Sequence, residues 1–100
     1  MALEIVFAPG ADDDLFAIYV YVAEAAGFVV ADSYDTRLRA AGMKLADFPA
    51  RGTPHDDLSP GLRSVPFERR ATIYYRVTAK AVEIVRVLHS GRDEGRAFRN

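Results

Sequence analysis

The stretch Leu62 to Asp93, LRSVPFERRATIYYRVTAKAVEIVRVLHSGRD, constrains the fold more than any other part of this chain. It reads as three consecutive antiparallel strands joined by tight turns. Within Arg70–Thr78, Ile73, Tyr75 and Val77 fall on one face, with Thr72, Tyr74 and Arg76 on the other. Within Ala81–His89 the alternation is weaker: Val82, Ile84, Arg86 and Leu88 oppose Glu83, Val85, Val87 and His89. Aromatic and β-branched residues dominate both runs, as strands prefer. Thr78-Ala79-Lys80 and Glu68-Arg69 are short enough to close hairpins. A meander this apolar must bury one face, so the rest of the chain has to supply a cover.

The cover is read upstream. Leu3–Phe7 is a short strand, ended by Pro9-Gly10. Asp12, Asp13 and Asp14 then stand where a helix begins, and the expectation is that they cap its free N–H groups and complement its dipole. Convergence of the three on a metal ion is disfavoured, because consecutive side chains point to different sides of a helix. The first helix spans about Asp13 to Ala26 and stops at Gly27. Leu15, Ile18, Tyr19, Val22 and Ala26 form one apolar stripe; Phe16, Val20 and Ala23 form a second. A helix apolar nearly all round is expected to be sandwiched. The second helix spans about Val29 to Asp47, with Val30, Tyr34, Leu38, Ala41, Leu45 and Phe48 on its stripe and Gly42 as a weak point. Only about two residues separate the helices, so they form an α-hairpin. Phe48–Pro60, with three of the five prolines, is the one real loop. Gly91–Asn100 is a polar tail with one anchor, Phe98. The fold class is therefore α+β: a small antiparallel sheet with an N-terminal strand, a two-helix hairpin on one face, then a three-stranded meander. One hundred residues make one domain, 1–100. Of the two tyrosines Tyr74 and Tyr75, only one is expected in the core.

Composition narrows the chemistry. There is no cysteine, which removes disulfides and thiolate metal sites. The two histidines, His55 and His89, lack any metal-binding spacing. No serine lies in a G-x-S-x-G setting and no glycine loop is built to cradle phosphate. No cofactor is implied. The N-terminus does not read as a secretory signal, and the longest apolar run is broken by Glu24 and too short to span a bilayer. Residues 1–50 carry three basic and eight acidic side chains, and residues 51–100 ten basic and six acidic, so the halves differ as −5 and +4. Nine of those ten basic residues are arginines, which pair bidentately with carboxylate or phosphate. Two readings follow: a solvated sheet edge, or a basic face for an acidic partner or nucleic acid.

Arg63, Arg76, Arg86, His89 and Arg92 are expected around one end or face of the meander. Such a group can clamp phosphates and move protons, as an RNase working through 2′-OH attack requires. The competing reading is exposed arginines balancing Asp56, Asp57, Glu68, Glu83 and Asp93.

At these residues the chain resembles the RelE/ParE superfamily of type II toxins, and within it the ParE branch. The resemblance rests on Leu15–Val22 (LFAIYVYV), Phe48–Gly52 (FPARG), Gly61-Leu62-Arg63, Ile73–Val77 (IYYRV) and Val87–Asp93 (VLHSGRD), in the family's order over nearly the whole chain. It implies a cytoplasmic toxin neutralised by a cognate antitoxin that wraps it with an amphipathic helix and an extended segment. The antitoxin brings its own DNA-binding domain, so promoter DNA is reached only through it. ParE-like members inhibit DNA gyrase without chemistry of their own; RelE-like members cut mRNA on the ribosome. The RelE-like catalytic arginine early in the third strand corresponds to Thr72 here, and the tail tyrosine to Phe98. Only Arg92 matches, with Arg63 near a position where a basic residue is common. Losing one oriented charge stabiliser costs on the order of 10²–10³ in rate, which argues against RNA cleavage. The resemblance therefore implies a gyrase-targeting toxin, with Arg63, His89, Arg92 and Asp93 at the target-facing end. The alternative is an mRNA endonuclease using Arg63, His89 and Arg92. A third possibility is a degenerate member that survives only as a binding partner.

Overall fold

Three antiparallel strands form where the alternation predicts them: β3 (Leu62–Phe67), β4 (Ala71–Val77) and β5 (Ala81–His89). The structure is a computed structural model and describes residues 3–89 and 97–98. The remaining elements are β1 (Glu4–Phe7), α1 (Pro9–Ala26), α2 (Phe28–Met43) and β2 (Thr53–Pro54). A 3₁₀ turn, Lys44–Ala46, closes α2. The sheet order is β1-β5-β4-β3-β2. The helical hairpin covers one face, so the architecture is the α+β one expected.

The sheet is mixed, because β1 joins β5 in parallel, with Ile5 opposite Val82 and Phe7 opposite Ile84. Parallel neighbours need a long crossover, and here everything between β1 and β5 serves as one. The loop Phe48–Pro60 also contributes a two-residue edge strand, β2, paired with β3 through Thr53–Ser64 and Pro54–Arg63. Pro54 is tolerated there because an edge strand leaves one side of its backbone unpaired.

The main core lies between the helices and the sheet. Leu15 and Ile18 of α1, Tyr34 and Leu38 of α2, and Leu45 pack on Ile73, Tyr75, Val82, Ile84 and Val87. Each fully buried aliphatic side chain among them contributes about 1.5–3 kcal/mol relative to an exposed one. Gly42 is not merely a weak point in α2. It faces β1, and a Cβ there would lie 3.4 Å from the Phe7 ring, at ordinary van der Waals contact.

A second cluster sits on the opposite face, where Leu62, Tyr74 and Leu88 pack with Leu58, Val85, Ala97 and Phe98. Both tyrosines are therefore core residues, on different faces, contrary to the expectation that only one would be. Loop residue Leu58 and the anchor Phe98, whose ring centroid is 5.0 Å from that of Tyr74, roof this face.

The weak alternation in β5 has a structural cause. Tyr74 pairs with Arg86 but Tyr75 pairs with Ile84, leaving Val85 without an opposite residue. This β-bulge shifts the phase by one residue. Val82, Ile84 and Val87 thereby share the helix-facing core, whereas unbroken alternation places Arg86 with the first two and Val87 opposite them.

Two further expectations are corrected. α1 begins at Pro9, in the first turn, where the missing proline N–H costs nothing. No aspartate side chain caps it; Ala8 is the cap residue. α1 is also not sandwiched. Its second stripe faces outward, with Phe16 70% exposed, because only α2 and the sheet flank it. The expected α2 stripe likewise buries Tyr34, Leu38 and Leu45 but leaves Val30 and Phe48 exposed.

The β3–β4 turn holds Glu68 and Arg69 at φ of 48° and 66°, with Arg70 N–H donating to the Phe67 carbonyl. Two successive left-handed residues suit Asn-Gly. For non-glycine residues each costs roughly 1–2 kcal/mol. An ion pair from Arg37 to Glu68 ties this turn to α2.

Candidate functional site

Among the described residues, Arg63, Arg76, Arg86 and His89 do not converge on one patch. They divide into three places, each set by a different element.

Arg63 lies on β3, opposite Tyr75. Its guanidinium donates to the carbonyls of Ala50 and Gly52 at 3.0 and 2.8 Å. Beside it, the Tyr75 hydroxyl donates to the Pro49 carbonyl and accepts from the Gly52 N–H, both at 2.9 Å. His55 and Ser64 hydrogen-bond at 2.7 Å, and the His55 N–H donates to the Leu62 carbonyl. Together these contacts bind the 48–55 segment to the sheet. Arg76, at the same end, donates to Ser59 and Pro60 and lies 3.7 Å from Glu83. Both arginines are occupied with the protein's own acceptors.

Arg86 lies at the edge of β5, just past the point where β1 ends. Its Nε and Nη2 donate to the two carboxylate oxygens of Asp14 at 2.7 and 2.9 Å. Asp14 is 8% exposed and also accepts from the Val87 backbone N–H at 2.8 Å. The chain leaves the sheet at Ala8, whose N–H donates to the Ile84 carbonyl. Beyond that, the Asp14 carboxylate stands in for the missing strand. Sequence reasoning assigned Asp14 to a helix cap and did not find this role. The only signal available was an arginine in a strand otherwise apolar around it.

His89 ends β5 and pairs with Ala71. It sits against α1 and α2, with its ring centroid 5.5 Å from Tyr21 and 6.0 Å from Tyr34. It lines a cleft of 310 Å³ together with Asp14, Ile18, Tyr21, Arg70 and Val87. Burial, and secondarily the Arg70 charge, push its pKa below the ordinary histidine value of 6.5. The Tyr34 hydroxyl beneath is buried with no hydrogen-bond partner among the described residues, and burial raises its pKa.

Arg63 and His89 thus occupy opposite ends of the meander. Arg63 aligns with Tyr75 and His89 with Ala71, four residues apart on β4, or about 13 Å. Arg92 and Asp93 lie outside the described residues. Arg70, which the sequence analysis did not single out, joins His89.

The His89 environment makes stability depend on pH. Its folded-state pKa is depressed, so just below pH 6.5 the unfolded chain takes up a proton that the folded chain resists. The folded state is therefore destabilised as pH falls through 6.5, and the loss is complete below the folded pKa. His89→Gln is expected to flatten urea-unfolding free energies measured between pH 7.5 and 5.5. An unchanged slope in that variant would place the titration elsewhere.

The family model for the ParE toxin of the type II toxin–antitoxin system parDE matches residues 5–94. The chain belongs to the ParE toxin family. This ParE-family chain also resembles a solved structure described as the chromosomal ParDE toxin–antitoxin system from P. aeruginosa. Identity is 22%, with 88% of this chain and 96% of that one covered, at a TM-score of 0.77. That likeness shows a shared fold. No curated protein matches the chain. Membership makes it the toxin component of a two-protein system, with a cognate antitoxin as partner. Among the described residues no helix is long and apolar enough to cross a membrane.

Proposed function

We propose that this ParE-family toxin arrests growth by binding DNA gyrase, performs no bond-breaking chemistry of its own, and is silenced by its antitoxin. The observation that carries this reading is the separation of Arg63 from His89. The mRNA endonuclease alternative needs Arg63, His89 and Arg92 around one phosphodiester, within hydrogen-bond reach of the reacting atoms. Arg63 instead tethers a loop at the far end of the sheet. The target-facing end is then the one bearing His89, with Arg92 and Asp93 following it in the chain.

The antitoxin's place is supported by the outward face of the helical hairpin. Phe16, Phe28 and Val29 are 70%, 72% and 84% exposed, and Val20 extends the patch. α1 exposes Asp12, Asp13 and Glu24 and carries no basic residue. An amphipathic segment with apolar anchors and a Lys/Arg rim complements that face. Promoter DNA is bound by the antitoxin.

The test is supercoiling of relaxed plasmid by purified gyrase with the chain added, beside translating ribosomes and mRNA. Inhibited supercoiling or linearised plasmid, with intact mRNA, is the expected result. Unaffected gyrase with mRNA cut at ribosomal sites would overturn the proposal.

A further inference from the structure

We infer that the cleft between α1 and the end of β5 is a binding site for the phosphate of a phosphomonoester. The first argument is an excess of unused donors. Arg70 makes no ion pair among the described residues, and neither Tyr21 nor His89 has a hydrogen-bond partner there, yet all three line the same 310 Å³ cavity. A neutral imidazole offers one N–H, a phenol one O–H and a guanidinium a planar fork, which together suit an oxyanion with several acceptor oxygens.

The second argument is the charge balance of the walls. Among the described residues Asp14 is the one carboxylate lining the cavity, and three donors already engage it: two from Arg86 and the Val87 N–H. With Arg86 it sums to zero. Glu68 on the turn above is paired with Arg37 of α2. Among the described residues that leaves Arg69 and Arg70 as the charges of the turn without an ion-pair partner. Asp13, whose charge reaches Arg86, does not line the cavity. Ile18 and Val87 supply an apolar wall, which lowers the local dielectric and strengthens an ionic contact.

The turn that carries Arg70 into place is strained at Glu68 and Arg69, where glycine would relieve it.

The aromatic edge of Tyr21, 59% exposed beside His89, gives a flat apolar surface at the mouth. A nucleoside monophosphate uses both surface and donors; inorganic phosphate uses the donors alone. The inference does not rest on the toxin's target, because it concerns binding rather than growth arrest.

The experiment is calorimetric titration of the chain with adenosine monophosphate, inorganic phosphate, adenosine and acetate at constant ionic strength, with NMR shifts of His89 and Tyr21 followed. Binding of the monophosphate with perturbation of both residues is expected, weaker for phosphate and absent for adenosine and acetate. Tightest binding by inorganic phosphate would keep the phosphate site and assign it to the free ion. Arg70→Ala, on an exposed side chain, is expected to weaken phosphate-ligand affinity at least tenfold, and Arg70→Lys to restore part of it. Equal binding of adenosine and its monophosphate, or unchanged affinity in Arg70→Ala, would overturn the inference.

Discussion

Asp14→Ala is expected to lower the unfolding free energy by about 3–5 kcal/mol, the range for removing one partner of a buried ion pair. Asp14 and Arg86 have side-chain exposures of 9% and 23%, so little solvent screens them. The variant leaves Arg86 against α1 without its counter-charge and the Val87 N–H without an acceptor. For a domain of this size the melting temperature should fall by about 12 °C or more. Urea unfolding measures the free energy directly. The pair is not required for burial as such, so Asp14→Leu combined with Arg86→Met should recover much of the loss. A loss below about 1 kcal/mol in Asp14→Ala would mean that water replaces the carboxylate at the β5 edge.

Gly52→Ala should be nearly as damaging, at about 3 kcal/mol, combining overpacking with the loss of hydrogen bonds to Tyr75. The added Cβ would fall 2.6 Å from the Tyr75 hydroxyl and 2.8 Å from the Ser64 carbonyl. The carbonyl belongs to β3 and cannot rotate away, and Tyr75 is fully buried. The chain from Pro49 to Pro54 must therefore lift off the sheet, taking β2 with it. Amide exchange in that segment should accelerate while exchange in α2 changes less. Tyr75→Phe removes the closest clashing atom, so adding it to Gly52→Ala should cost less than the two single changes summed. Strict additivity would show that the hydroxyl contact does not limit the fit.

The physical reasons that parts of this fold were legible are local. β3 and β4 alternate without interruption, and their period of two reports directly which side chains point inward. β5 breaks that period at Val85, and the weakened alternation in the sequence does not by itself say where a bulge falls. Pro9 reads equally as the end of a strand and the first turn of a helix, since both tolerate a fixed φ and no N–H. Asp14 reads as a cap because its true partner is 72 residues away. Arg63 and His89 both lie in the meander, yet only strand register reveals that they end up apart. The apolar excess of α1 was visible, but whether a second layer covers Phe16 is a tertiary matter.

β5 lies between β1 and β4, and α1 also packs on it. Its position has a consequence for the order of events during synthesis. Residues 4–7 are made first and wait for residues 81–84 before they have a neighbour. Neither the parallel ladder nor the Asp14 anchor can form while the C-terminal strand is unmade, and contacts this distant in the chain are slow to close. The main core likewise lacks Val82, Ile84 and Val87 until residues 81–87 have emerged.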